Sequence, residues 1–507
     1  MKKNNLLKVF LLSGLVFVGA SSCTNLEERA LDGTIQSGSS GTVDTHAFLN
    51  TAYNGLRSFQ DQGNMYALSE MSTDAMVGPT RGGDWDDNGA WRQIHAHTWN
   101  AVHVHVRDTW NILLSNVYNC NQVIYNNGSA ADVLEARFLR AFYYYHVIDF
   151  FGQVPHREKG SDVNADAEVW TRSEATDFVI SELEAIVNSL PNRIANDASV
   201  ANKDAARFLL AKLYLNKAVY TAANPAGPYT FAQADMNKVI SYVDAISSNL
   251  ASDYWDNFKP TNNTSPEILF SSKNVRSTSG GGLQSRWRMC QHYNQTPGGW
   301  NGFSTLSEYY DRFSSADKRR NYTDASIVTN FGNPVGFQVG QQFAPGGVTP
   351  LKDRNENPLS FTREVTLITT GNAIETAGIR AEKYIPDAAD LGTPENDLAL
   401  FRYSDALLMK AEAIARGGSS SATVASIMST IATRAGVSAA TADLPGIYAE
   451  RGRELWWEGW RRNDMIRFGK YLEARQLKTS VSDAKYVLLP IPSAALLNPK
   501  LKQNDGY

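Results

Sequence analysis

The sequence has little cysteine, modest charge and no long apolar run. Three of its 507 residues are cysteine, which excludes the disulfide framework of a small secreted scaffold. Cys120 and Cys290 are expected to be small buried thiols. Charged residues are 20% of the chain and the net charge is -4. That balance excludes the basic surface a nucleic-acid-binding protein needs. The longest apolar stretch, Val9 to Val18, is interrupted by Ser13 and Gly14 and is shorter than the roughly 20 residues of a spanning helix. Aromatics, by contrast, are abundant: 11 Trp, 22 Tyr and 21 Phe within a 43% hydrophobic composition. Such a chain is globular and long enough to bury a large core.

The short apolar run has a context. Lys2, Lys3 and Lys8 make a positive start, Ala20, Ser21 and Ser22 are small, and Cys23 follows at once. This order reads as an export signal, and the cysteine resembles the lipidated residue of a bacterial lipobox, although Ala20 stands where leucine is commonest. Residues 1–22 are therefore expected to be a lipoprotein signal peptide and Cys23 the lipid attachment point. Residues 23–43, with the run Ser37 to Gly41, read as a flexible tether, and residues 44–507 as one fold.

Helical spacing dominates that fold. Phe48, Ala52, Leu56 and Phe59 recur on one face from a start at Asp44 or Thr45. Trp110, Leu113, Leu114 and Val117 do the same, as do Leu134, Phe138, Phe142 and Tyr145, with Gly152 as the stop. Thr171-Arg-Ser-Glu174 is a capping box. Further helices are expected from near Lys203 and from about Phe231 to Asn249. Ala136-Arg-Phe-Leu-Arg-Ala and Ala206-Arg-Phe-Leu-Leu-Ala are copies 70 residues apart, close to two tetratricopeptide periods of about 34. The fold class expected is mainly α: a tetratricopeptide-like scaffold of helix pairs over about 44–250 and 396–480. Between them, about 251–395 is rich in Gly, Asn, Ser and Pro and reads as irregular loops with short strands, such as Ile268 to Ser271 and Val365 to Thr369.

Four patterns could carry chemistry. The charged stretch Glu450 to Arg467 has helical contact spacing, and intrahelical ion pairs explain it. His95, His97, His103 and His105 crowd together, but residues 103–117 read as helix, where i, i+2 spacing does not converge on a metal. Asp84-Trp-Asp-Asp-Asn-Gly89 matches the first half of an EF-hand loop, but His95 stands where a bidentate glutamate belongs. No cofactor is expected, with a partial calcium site as the one candidate. The fourth pattern is aromatic. Trp85 and Trp91 lie among Asp84, Asp86, Asp87 and Asn88, next to Arg81-Gly-Gly83, and a second cluster of Trp287, Tyr293 and Trp300 lies in the Gly-rich region. A sugar offers apolar C–H faces and a rim of hydroxyls, which match an indole face ringed by carboxylates and amides. Trp85, Asp84, Asp86, Asn88, Trp91, Tyr293 and Trp300 are therefore the candidate ligand-binding residues. Gly298-Gly299 before Trp300 is expected to let backbone and ring approach a flat ligand closely.

An ordered set of motifs resembles the SusD/RagB family of Bacteroidota surface lipoproteins. They are Glu135-Ala-Arg-Phe-Leu-Arg-Ala-Phe-Tyr-Tyr-Tyr145 running into Phe151-Gly-Gln-Val-Pro155, Lys203-Asp-Ala-Ala-Arg207, Asp317-Lys-Arg-Arg320, Phe401-Arg-Tyr-Ser-Asp405, Glu458-Gly459 with Arg461, and Leu489-Pro-Ile-Pro492 with the tail Gln503-Asn-Asp-Gly-Tyr507. Asp505 stands where the family tail usually has proline. The resemblance implies a non-enzymatic, lipid-anchored protein of the outer-membrane surface. Such a protein captures oligosaccharide for a partner SusC-like TonB-dependent transporter. In some members the cargo is peptide. The resemblance also implies that an aromatic in the early loop and others in the central region contribute to the ligand platform. A surface glycoside hydrolase is the remaining alternative, but no pair of opposed carboxylates in a loop stands out.

Overall fold

The computed structural model describes residues 43–162, 164–278, 282–369 and 375–507. The expected signal peptide, Cys23 and all but the last residue of the expected tether lie outside the described residues. Eight helices make up the first half: α1 (Thr45–Gly55), α2 (Asn64–Glu70), α3 (Ala90–Ala96), α4 (Val104–Tyr125), α5 (Ala130–Phe150), α6 (Arg172–Ile186), α7 (Lys203–Tyr220) and α8 (Gln233–Asp244). Asp44 caps α1 by accepting from Ala47 N. The Thr171/Glu174 capping box opens α6 as read from sequence. The last expected helix is shorter than its pattern, ending at Asp244.

Three one- to two-turn helices sit in the middle, α9 (Ser285–Arg288), α10 (Ser307–Tyr310) and α11 (Ala325–Phe331). Four close the chain, α12 (Tyr403–Ala415), α13 (Val424–Ala435), α14 (Leu444–Glu454) and α15 (Arg461–Arg467). Each long helix packs on the next from α4 to α8, and α8 then packs on α12, which is the stacking that the 70-residue repeat implied. The repeated phenylalanines are both fully buried: Phe138 edges onto Phe270 at 5.1 Å and Phe208 stacks on Phe401 at 4.3 Å. The repeat is thus a core-packing repeat, with α5 and α7 at the centre of the stack.

The sequence reading misplaced one element. Helical pattern was expected to return near Leu398, but Leu398–Arg402 is a strand, paired antiparallel with Ile268–Ser272. All five of its residues are buried, and a short apolar run buried on both faces has no periodicity that separates strand from helix. A three-stranded sheet of Arg380–Glu382, Val335–Gln338 and Asn321–Tyr322, and a parallel pair of Thr80–Arg81 with Ile368–Thr369, stiffen the loop-rich region.

The charged stretch near the C-terminus is structural, but its partners were misjudged. Only Glu450–Arg453 and Asp464–Arg467 pair within a helix. The others reach across the molecule: Arg402 meets Glu267, Glu454 and Glu458 at 2.5, 3.1 and 2.6 Å, Arg461 meets Asp74 at 2.7 Å, and Arg467 meets Glu412 at 2.7 Å. These side chains are buried. Burial alone would raise the Glu454 carboxyl, but the guanidiniums of Arg434, Arg402 and Arg319 hold it well below the usual range.

The four crowded histidines turn to different partners and do not converge. His95 meets Gln476 O, His97 meets Ser482 Oγ and Ser72 O, His103 meets Ala90 O, and His105 meets Asn64. Burial lowers all of them, His95 and His105 to about 4, and also takes His146 to about 4. The unfolded chain therefore takes up these protons below about pH 6.5, while the folded chain refuses them to lower pH, at His95, His105 and His146 until about pH 4. Stability should fall with acid through that window. Burial raises Glu70 and Glu382 to about 8, Asp397 to about 6 and Glu135 and Asp235 upward, which gives the opposite slope, but it also lowers His156 and His292, so seven histidines outnumber five carboxyls. The urea midpoint is expected to drop steadily between pH 6.5 and 4.5, and a flat profile there would contradict this account.

Candidate functional site

The early loop leaves the strand Thr80–Arg81 and winds tightly: Arg81 and Asp84 exchange backbone hydrogen bonds of 2.8 and 3.0 Å. Trp85, Asp87 and Asn88 all take positive φ, at 59°, 40° and 53°. That region is disfavoured for side chains with a Cβ and costs about 1–3 kcal/mol per residue unless the surroundings hold it. Trp85 is held firmly. Its ring packs 4.9 Å from Phe303 and 5.6 Å from Trp91, and its Nε1–H donates to Trp300 O at 2.9 Å.

That last bond joins the early loop to the Gly-rich loop at 291–303. The second loop is folded on itself: Trp300 N donates to Arg288 O at 2.6 Å, Asn301 N to Gln291 O at 2.7 Å and Gly302 N to Met289 O at 2.9 Å. The glycines before Trp300 serve this folding. A Cβ on Gly299 would lie 2.3 Å from Gln291 O, and one on Gly298 would lie 3.1 Å from Tyr293 O. Gly302 is the glycine that matters to the indole: its Cβ would lie 2.5 Å from Trp85 Cε2 and 2.9 Å from Met289 O. Gly302→Ala is expected to displace Trp85 and weaken ligand binding about tenfold or more, as loss of an anchoring ring does. Calorimetry on the variant checks this, and unchanged binding would mean that the ring's seat is immaterial.

Four of the sequence candidates meet here. Trp85 and Trp300 are partly exposed and joined as above. Tyr293 OH donates to Asp84 Oδ2 at 2.7 Å. Burial, and then this bond to Asp84, raises the phenol to about 12, so it remains a donor at neutral pH. Trp91 takes a different place. It is buried at 6% exposure, with its ring 4.9 Å from Phe303 and 4.4 Å from His105. Its Nε1–H donates to Asp87 Oδ2, so it supports Trp85 from below and does not present a ring face. Trp287, the other indole of the second cluster, is fully buried.

The acidic residues do not converge. Asp84 takes Tyr293, Asp86 takes Arg92 at 2.9 Å and Thr80 at 3.3 Å, and Asp87 takes Trp91 at 2.5 Å. Asn88 is exposed at the tip. A calcium ion needs several oxygens on one point, and here each carboxylate turns to a different protein donor. Among the described residues no group of three or more His, Cys, Asp or Glu is placed to hold a metal. The calcium expectation is therefore withdrawn. Cys120 and Cys290 are free and buried.

The sequence reading missed Arg354 and Glu375. Arg354 lies over the Tyr293 ring, its Cζ 4.4 Å from the centroid, and its Nε–H donates to Glu375. Burial would raise the Glu375 carboxyl, but the Arg354 amide, His292 and the Arg354 guanidinium hold it below its usual range. Both residues come from the loop-rich segment, more than 50 positions from Tyr293, and no local pattern marks them. Two clefts lie elsewhere, one of about 420 Å³ between α1 and Lys273 and one of about 460 Å³ at the C-terminal tail. Neither presents a tryptophan, the broadest face for a sugar ring, so the aromatic loop pair is the better candidate.

Comparison with known proteins matches the sequence model of the SusD family to residues 241–507. The chain belongs to the SusD family. A second family model, described as starch-binding associating with outer membrane, matches residues 31–215. The starch-binding protein SusD of Bacteroides thetaiotaomicron is 25% identical over 413 residues, covering 74% of this chain and 72% of that protein. SusD-like protein P25 of Formosa agariphila is 26% identical over 178 residues, 33% of this chain and 32% of that protein. Among solved structures, a SusD superfamily protein from Parabacteroides distasonis superposes with a TM-score of 0.69 at 18% identity, covering 91% of this chain and 98% of the other. Surface glycan-binding protein A from Bacteroides thetaiotaomicron, in complex with laminarihexaose, gives 0.64 at 21% identity over 91% and 98%. The mainly helical SusD-like fold with short scattered sheets is thereby established. SusD-family proteins are non-catalytic, and this member is a binding protein, not an enzyme.

Proposed function

We propose that this SusD-family protein captures oligosaccharide at the cell surface and passes it to a partner TonB-dependent outer-membrane transporter. The observation that carries the reading is the junction of the two loops, where Trp85 and Trp300 are partly exposed and hydrogen-bonded to each other, with Tyr293 and Asp84 at the edge. Indole faces beside carboxylate and phenol groups suit a sugar's apolar faces and hydroxyl rim. Its relatives include a starch-binding protein and one in complex with laminarihexaose, ligands of that chemical kind.

The anchor is proposed at Cys23, after removal of residues 1–22. Among the described residues no helix is long and apolar enough to cross a membrane, and bacterial lipidation supplies more than one acyl chain, enough for stable attachment.

A carbohydrate array probed with the soluble protein tests the reading. Retention on oligosaccharide spots, with the bound sugar recovered intact, is expected; selective retention on a peptide library would overturn it. In cells lacking the transporter, Cys23→Ala should move the protein from the membrane to the soluble fraction, and continued retention would refute the anchor.

A further inference from the structure

We infer that Asp84 and Arg354, set at the edge of Tyr293, form a two-pronged clamp for neighbouring hydroxyls of one sugar residue, so that the site takes neutral glycans and rejects uronate or sulfated ones. The inference rests on the reading of this loop pair as a glycan platform and specifies the chemistry of its ligand.

The geometry comes first. Arg354 Nη2 lies 3.9 Å from Asp84 Oδ2, and both side chains are about half exposed, at 51% and 50%. Asp84 spends Oδ2 on the Tyr293 hydroxyl, and Arg354 spends Nε on Glu375. Among the described residues, Asp84 Oδ1 and Arg354 Nη1 make no hydrogen bond. An unused acceptor and an unused donor therefore stand side by side at the rim of the aromatic cluster.

Each prong is fixed before a ligand arrives. Tyr293 OH pins Asp84, while Arg354 lies over the Tyr293 ring and is tied to Glu375, whose own carboxylate also meets His292 at 3.1 Å. Little side-chain freedom remains to be lost on binding. A vicinal diol answers this pair directly: one hydroxyl donates to the carboxylate, and the neighbouring oxygen accepts from the guanidinium.

Charge then separates ligand classes. Arg92 and Arg354, the partly exposed guanidiniums beside Asp84 and Asp86, each already meet a carboxylate, Asp86 and Glu375, while Arg81 and Arg380 are buried beneath the loops and turned to Gly302 O, Ser304 Oγ and Asn301 Oδ1. Asp84 and Asp87 are exposed with neutral hydrogen-bond partners, Tyr293 and Trp91. A carboxylated or sulfated sugar would engage Arg354 alone and face these like charges.

Isothermal calorimetry on the soluble protein decides the matter. The probes are neutral hexasaccharides (β-1,3-glucan, α-1,4-glucan, β-1,4-xylan and β-1,4-mannan) and anionic ones (oligogalacturonate, oligoalginate and chondroitin sulfate). Wild type is expected to bind within the neutral group. Asp84→Ala and Arg354→Gln are each expected to weaken that binding roughly ten- to hundredfold, as loss of a charge-assisted hydrogen bond does, at an unchanged melting temperature. Arg354→Lys, which keeps the charge opposite Glu375 but not the planar fork, should also bind less tightly. Preference for an anionic probe overturns the class assignment. Wild-type binding by Asp84→Ala and Arg354→Gln, alongside loss of binding in Trp300→Ala, overturns the clamp while leaving the platform standing. Wild-type binding by Trp300→Ala and Trp85→Ala as well means that the platform itself lies elsewhere.

Discussion

Replacing Trp85 or Trp300 by alanine is expected to abolish measurable oligosaccharide binding. Truncating a central aromatic anchor costs about 2 kcal/mol or more, roughly a thirtyfold loss of affinity, which takes a weak sugar complex below detection. The two variants should differ in stability. Trp85 rests on Phe303 and Trp91 and is partly buried, so its removal leaves a gap and lowers the melting temperature modestly. Part of that loss is offset, because alanine at φ 59° can relax a backbone that the indole had been holding. Trp300→Ala removes a ring whose hydrogen bond to Trp85 is made by its backbone oxygen, so the link between the loops survives and the melting temperature should change little. Loss of binding in Trp300→Ala with wild-type melting is the cleaner result, and wild-type binding by both variants would place the platform elsewhere.

The largest expected effect on stability is at Arg402. Its guanidinium serves the carboxylates of Glu267, Glu454 and Glu458, the Glu454 backbone oxygen and Ser404 Oγ. Arg402 and its three carboxylate partners are essentially inaccessible to solvent. Arg402→Met fills much of the volume but leaves three buried carboxylates sharing Arg319, Arg434 and Lys383. Breaking one partner from a buried ion pair costs about 3–5 kcal/mol, against a total folding stability of about 5–15 kcal/mol. The variant should therefore unfold at a much lower urea concentration or fail to accumulate as soluble protein. A urea midpoint within error of wild type would show that the remaining cations suffice. The network binds α12, α14 and the strand Leu398–Arg402 to the loop-rich region.

How much of this was legible in the sequence follows from what each signal depends on. Helices with a cap and a one-sided stripe were readable: Asp44 before α1, Thr171 and Glu174 at α6, and the copies on α5 and α7 all depend on residues a few positions apart. The strand Leu398–Arg402 was not, since a run buried on both faces carries no period. The charged stretch is structural, as its composition suggests, but its partners Asp74, Asp149, Lys383 and Arg402 lie up to several hundred residues away. Spacing within a helix cannot announce them. At the site, the exposed setting of Trp85 between glycines and acids pointed to a surface ring. The same pattern surrounds Trp91, which burial removes from the surface. Arg354 and Gly302 are defined by contacts across the fold, with Tyr293 and the Trp85 ring, and nothing in their neighbours along the chain distinguishes them.

The central claim is that the Trp85–Trp300 loop junction is where sugar sits, and indole NMR tests it most directly. With 11 tryptophans in the chain, each indole N–H gives its own resonance, assignable by single Trp→Phe substitutions. Titration with a bound neutral oligosaccharide is predicted to shift the signals of Trp85 and Trp300. Those of the buried Trp99, Trp255 and Trp456 should stay in place. Saturable binding that leaves Trp85 and Trp300 unmoved, or that shifts an indole elsewhere instead, would contradict the account.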